Sequence, residues 1–120
     1  MIRPILAFDD PFASGEIFRS AGWHVDFSQP PESGDPLVGV SLEGNSLLLG
    51  VTDGYVPPEQ RPYTGCGIQF YCTVPGGRLE DIHAEHAPLR PGPILRQSWG
   101  NRAFEVTIAG YRFMIAAQEA

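Results

Sequence analysis

Positive charge is scarce in this sequence. Eight Lys and Arg face fourteen Asp and Glu, for a net charge of -6 over 120 residues. That excludes the cationic footprint on which nucleic-acid and anionic-membrane binders rely. Acidity mainly confers solubility, and it is compatible with a cationic ligand. No apolar run approaches the ~20 residues of a membrane span. The opening Met1-Ile2-Arg3-Pro4 begins no secretory h-region. The expectation is a cytoplasmic protein without membrane or nucleic-acid partners. Cysteine is scarce too: Cys66 and Cys72 fall on what reads as one strand. Six residues of strand separate their Cα atoms by roughly 20 Å, against the ~7 Å limit of a disulfide, so both are expected as reduced thiols. A Walker loop, a G-x-G-x-x-G run and a G-x-S-x-G elbow are all missing.

What is present is a repetition. Val40-Ser41-Leu42-Glu43-Gly44-Asn45-Ser46-Leu47-Leu48-Leu49-Gly50 aligns without a gap on Val106-Thr107-Ile108-Ala109-Gly110-Tyr111-Arg112-Phe113-Met114-Ile115-Ala116, at an offset of 66 residues. Both are apolar-polar alternations broken by a Gly turn. An offset of half the chain marks a duplicated module rather than a solenoid.

The order of elements repeats as well. Pro4–Phe8 reads as a strand. Asp10-Pro11 is a cap followed by Pro at the first helical position. A helix to about Ala21 buries Phe12, Ile17, Phe18 and Ala21, and Gly22 stops it. Trp23–Phe27 alternates as a half-buried strand, and Leu37–Leu42 with Ser46–Val51 forms a hairpin. Thr52–Gly65 is a proline-stiffened connector. Cys66–Val74 opens the second unit as a strand with Ile68, Phe70 and Cys72 packed under a helix. That helix carries Leu79, Ile82, His83 and His86 along one face. Strands follow at Ile94–Trp99, Ala103–Ile108 and Tyr111–Ala116. The expected fold is α+β: two paired β-α-β-β-β modules, 3–51 and 66–117 joined by connector 52–65, in one domain of curved mixed sheets around a cup.

This arrangement resembles the vicinal oxygen chelate superfamily, which groups glyoxalase I, bleomycin-resistance proteins and extradiol dioxygenases. The second half carries the closest likeness. Leu79–His86, Gly92-Pro93, the run Gln97-Ser98-Trp99-Gly100-Asn101-Arg102-Ala103-Phe104-Glu105-Val106, and Gly110 are similar to bleomycin-resistance-like members. In the first half the likeness rests on Phe8-Asp9-Asp10, Phe18, Ala21-Gly22-Trp23 and Leu47–Gly50. The resemblance implies a homodimer, with modules paired across a two-fold axis and halves often exchanged.

Metalloenzymes of that superfamily place His or Glu at the starts of the module-opening strands and the middles of the module-closing strands. Here those points fall near Ile2–Arg3 and Cys66–Gly67, and at Leu48 and Met114. One cysteine is not a transition-metal site. The likeness is therefore to the metal-free binding branch, with no metal and no other cofactor expected.

With Leu48 and Met114 directed into the cup, alternation sends Gln69, Tyr71, Thr73 and Arg112 there as well. Trp99 and Arg102 sit where the resemblance places binding residues. The expected ligand-binding set is Leu48, Gln69, Tyr71, Trp99, Arg102, Glu105, Arg112 and Met114. It suits a small organic ligand, aromatic or cationic, stacked on rings. Three functions follow: a metal-free binder of the bleomycin-resistance type that sequesters an antibiotic, a lyase or isomerase using Arg102, Glu105 and Arg112 for acid-base and oxyanion roles, or a ligand-free dimerising domain. Trp99 is either a stacking residue or part of a core or interface. His24 reads as a surface residue, and His83 and His86 as lying at the helix margin.

Overall fold

The computed structural model describes residues 2–118. Strand β1 (Ile5–Phe8) leads into helix α1 (Pro11–Ser20), then β2 (His24–Gln29), β3 (Leu37–Leu42) and β4 (Asn45–Val51). The second unit runs β5 (Gln69–Pro75), α2 (Leu79–Glu85), β6 (Leu95–Arg96), β7 (Arg102–Ile108) and β8 (Tyr111–Gln118). Each unit forms one four-stranded mixed sheet, ordered β1-β4-β3-β2 and β5-β8-β7-β6. The fold is α+β, as the pattern of the sequence implies.

The duplication holds at the level of register. Ile5 opposes Leu48, and Leu48 opposes Gly39. Adding 66 to each gives Tyr71, Met114 and Glu105, which oppose one another in the same way. The hairpin turns are also equivalent. Glu43 and Gly44 have φ of 48° and 84°, and Ala109 and Gly110 have 51° and 88°. Two positive φ values in a two-residue loop match the twist of the flanking strands, which explains a glycine at the second position of both.

Local chemistry sets the helices. The Asp10 carboxylate accepts from the N–H groups of Phe12 and Ala13 at 3.0 and 3.1 Å, and Pro11 occupies the first turn. Gly15 lies 3.1 Å from Val38 at its would-be Cβ, so α1 approaches β3 there as closely as a larger residue would forbid. Phe18 and Ala21 are fully buried and Phe12 packs on the core, as expected, but Ile17 is 37% exposed and the buried face of α1 also takes in Pro11, Ser14 and Gly15. Ser14 and Gly15, small enough to admit the sheet, occupy the buried face instead.

The core joins both units. Phe18 and Trp23 pack edge-on against Phe113, Phe8 packs against Tyr111, and Phe70 stacks on Phe113. The Tyr111 hydroxyl donates to the Ala7 carbonyl (3.1 Å) and accepts from the Ala7 N–H (3.2 Å). Asn45 donates to the Thr73 carbonyl, and Arg78 bridges to Glu43 across the same seam. The sheets therefore meet through their helix-bearing faces and adjoining edges.

Three expected elements differ. Strand β5 starts at Gln69, so Cys66 lies in a turn and Ile68 is 43% exposed rather than packed under a helix. Strand β6 is only Leu95–Arg96, because the preceding Pro88, Pro91 and Pro93 lack the N–H groups a strand needs. Trp99 consequently stands in the turn after it. His86 is fully buried, not at the helix margin.

Candidate functional site

Each sheet has one face packed on the helices and one left open. On the second sheet, Phe70, Cys72, Phe113, Ile115, Phe104 and Val106 face the core. The alternate residues Gln69, Tyr71, Arg112 and Glu105 are exposed, and Met114 is half-buried. Register sets the open-face residues in rows: Gln69–Arg112–Thr107, then Tyr71–Met114–Glu105, then Thr73–Ala116–Ala103.

Trp99 joins this face from the far side of the sheet. Its indole N–H donates to the Tyr71 hydroxyl at 3.1 Å, with ring centroids 6.2 Å apart and planes tilted by 56°. Since β8 and β7 lie between β5 and β6, that bond spans two strands. Ala103 and Ala116, both fully buried, provide small residues along the span. Trp99 remains 54% exposed and Tyr71 47%, so the pair presents ring surface to solvent.

Of the eight expected binding residues, Gln69, Tyr71, Trp99, Glu105, Arg112 and Met114 gather on this face. Leu48 lies on the equivalent face of the other sheet. Arg102 does not join them. It alternates with Ala103 and turns to the helix side, where its guanidinium pairs with Glu80. The hydrogen bond from Arg102 holds the Glu80 carboxyl below its ordinary value. The "WGxRxFxV" spacing identified Arg102 but not its side of the sheet.

The open face of the first sheet is apolar. Ile5 is 66% exposed beside half-buried Leu48, and the Phe27 ring lies over Gly39, where any Cβ would overlap it. A 410 Å³ cavity there is lined by Ile5, Leu37, Gly50, Val51, Tyr55 and Val56, among others. Of the expected ligand-binding residues, only Leu48 falls in this group. The same offset that relates Leu48 to Met114 relates Ile5 to Tyr71, and would have exposed Ile5. One row away, His24 Nδ1 lies 2.7 Å from Asp26, which also accepts from Ser41. Partial burial works against ionising Asp26, but the bonds from His24 and Ser41 outweigh it and keep its carboxyl below the ordinary value. His24 is exposed, in keeping with a surface residue.

The metal points of the fold offer little to an ion. Leu48 has no donor atom and Met114 has only a thioether, and register sets Ile5 and Tyr71 beside them, not the expected Ile2–Arg3 and Cys66–Gly67. Among the described residues no three His, Cys, Asp or Glu side chains group together as ligands would. These donors do not fit a divalent metal. No helix among those residues is long and apolar enough to cross a membrane.

Neither a protein-family model nor a curated protein matches the sequence. Solved structures do match the fold. A bleomycin resistance determinant encoded on the transposon Tn5 superposes with a TM-score of 0.70 at 13% identity, covering 100% of this chain and 98% of that one. A bleomycin-binding protein complexed with bleomycin gives 0.68 at 13% identity, covering 99% and 98%. A member of the glyoxalase/bleomycin resistance protein/dioxygenase superfamily from Sphaerobacter thermophilus gives 0.65 at 15% identity, covering 98% and 97%. The chain has the fold of the vicinal oxygen chelate superfamily.

Proposed function

We propose that this protein is a metal-free binder of a small organic ligand, of the kind represented by the bleomycin-binding neighbour, and that it works as a homodimer. The observation that carries the reading is the Tyr71–Trp99 pair. Two large rings tied by one hydrogen bond stand half-exposed on a helix-free face. Rings in that state give stacking surface to a planar group, with polar anchors beside them in Gln69, Glu105 and Arg112.

The apolar open face of the first sheet supports the dimer. Within one chain the open faces do not close over each other, since Ile5, Phe27, Tyr71 and Trp99 all remain substantially exposed. A second copy turned by a two-fold would set the Ile5–Leu48–Phe27 face of one protomer against the Tyr71–Met114 face of its partner. The ligand would then lie in a cup with one apolar wall and one aromatic and polar wall. Antibiotic sequestration is the physiological form of this reading, and the cytoplasm its expected setting. An enzymatic reading has less support, because Arg102 is held on the other side of the sheet by Glu80 and only Glu105 and Arg112 remain as acid-base candidates.

Titration decides among the functions. A binder saturates with one aromatic ligand per cup and returns it unchanged. Turnover of the ligand would replace this reading with the enzymatic one. Absence of saturable binding to a dimeric protein would leave a dimerising domain.

A further inference from the structure

The two modules share the register of their inner strands and differ at the outer strand. In the first, β2 continues past Gln29's partner Leu37 as far as His24, which opposes Ser41. In the second, β6 is only Leu95 and Arg96, and the proline-rich stretch before it meets the outer edge of β7 through Gly92 N–H, which donates to the Glu105 carbonyl at 2.8 Å. The outer edge of β7 therefore opens just beyond Glu105, at Val106 and Thr107. A cavity of about 190 Å³ occupies the gap, lined by Leu89, Arg90, Glu105, Thr107, Arg112 and Phe113, among others.

The lining has a definite chemistry. The 66-residue offset sets Arg90, Thr107 and Arg112 where the first module has His24, Ser41 and Ser46. Arg90 and Arg112 are both exposed, and among the described residues neither guanidinium makes an ion pair or side-chain hydrogen bond. The Arg90 backbone is in the left-handed region (φ 53°), and its N–H bonds the Ala87 carbonyl. Two guanidiniums therefore face one carboxylate, Glu105, in a protein whose net charge is -6. Beyond about 10 Å the overall charge is screened, so a bound group feels the local excess. Arginine presents paired N–H donors matched to a planar oxyanion. Across two strand spacings the notch lies about 10 Å from Tyr71, comparable to a bicyclic ring together with the carboxylate it carries.

Taking the ligand-binding reading of the open face as its basis, we propose that the ligand is an aromatic oxyanion: its rings lie against Tyr71 and Trp99, and its carboxylate, sulfonate or phosphate sits between Arg90 and Arg112. Glu105 accepts from a ligand O–H or N–H beside that group. The site then discriminates against cationic aromatics, despite the acidic surface of the protein.

Two size-matched probes test this by isothermal titration of the full chain: 2-naphthoate and 2-naphthylmethylammonium. The expected result is at least tenfold tighter binding of naphthoate. The preference shrinks in Arg90→Gln and in Arg112→Gln and disappears in the double variant, with circular dichroism unchanged because both residues are exposed. Trp99→Ala weakens whichever probe binds without altering the preference, and so reports on the open-face reading separately. Equal or tighter binding of the ammonium probe, or a naphthoate preference that survives the double variant, overturns the inference and leaves that reading standing. Binding of neither probe overturns both.

Discussion

Trp23 donates its indole N–H to Nε2 of His86 at 3.0 Å, inside the core and across the two modules. The other ring nitrogen, Nδ1, lies 2.8 Å from the Ile82 carbonyl. Both bonds are made only by neutral imidazole with its proton on Nδ1, since a protonated Nε2 has no lone pair for the indole. Burial accordingly pushes the His86 pKa below its ordinary value, partly opposed by the Ile82 carbonyl and the nearby Glu85. The ring also packs edge-on against Phe104, and His83 adds a further depression.

The sign of the pH dependence follows. The unfolded chain takes up the His86 proton near the ordinary value of about 6.5, and the folded chain does so only at lower pH. The stability from His86 is thus complete above about pH 6.5. It falls as pH drops from there toward the depressed folded value, with a limiting slope of about 1.4 kcal/mol per pH unit. Urea unfolding at a series of pH values should show this decline. In His86→Phe the decline should flatten, and stability at pH 8 should fall by about 1–3 kcal/mol because the Trp23 N–H loses its acceptor. An unchanged pH profile in the variant would remove His86 from this role.

The two tryptophans should respond oppositely to truncation. Trp23 is 2% exposed and packs on Phe18 and Phe113, so Trp23→Ala should cost about 3–5 kcal/mol of stability. Trp99 is 54% exposed in a turn, and Trp99→Ala should leave the monomer fold intact. Its expected effect is a loss of about 1–3 kcal/mol in ligand affinity. Thermal melts and titrations on both variants separate the cases. A Trp99→Ala protein that unfolds would assign Trp99 to structure.

The sequence made the fold legible because duplication doubled each signal. The Val40–Gly50 and Val106–Ala116 runs fix two hairpins in one register, and that register fixes which residues alternate toward the open faces. Its limits lie at tertiary contacts. Nothing local distinguishes His86, which is buried against a residue 63 positions away, from a histidine at a helix margin. The aligned run stops short of β2 and β6, so the proline break that shortens β6 and frees Trp99 was not legible from it. Arg102 was misplaced for the same reason, because its side of the sheet depends on a strand boundary and on Glu80. The apolar wall around Ile5 and Phe27 was legible in principle, by transferring Tyr71 back through the offset.

The two thiols should differ in reactivity. Cys66 is exposed in a turn, whereas Cys72 is 5% exposed beneath the second sheet. Burial pushes the Cys72 thiol up to about 11, so almost none of it is thiolate at neutral pH. Reaction with an aromatic disulfide reagent at pH 8 should therefore release one equivalent promptly and the second only on unfolding. Two equally fast equivalents would mean that the strand carrying Cys72 opens readily.

The last prediction concerns Leu48 and the assembly. Leu48 is half-buried beside exposed Ile5 on a face with no helix over it. Replacing it with Glu adds a charge to that face without disturbing Leu47 and Leu49, which hold the core on the other side. If a second copy covers this face, the wild-type protein should scatter light as a dimer, at about twice its 13.1 kDa chain mass. Leu48→Glu should then shift it to monomer at micromolar concentration while circular dichroism is retained, because an unpaired charge is costly to bury at an interface. Ligand affinity should fall in step with dissociation, since the cup loses one wall. The control is Arg19→Glu on the exposed side of α1, which should leave the dimer intact. A wild-type protein that is monomeric at every concentration, or a Leu48→Glu protein that dimerises as well as wild type, would remove the two-chain cup and leave the Tyr71–Trp99 face as a site complete in one chain.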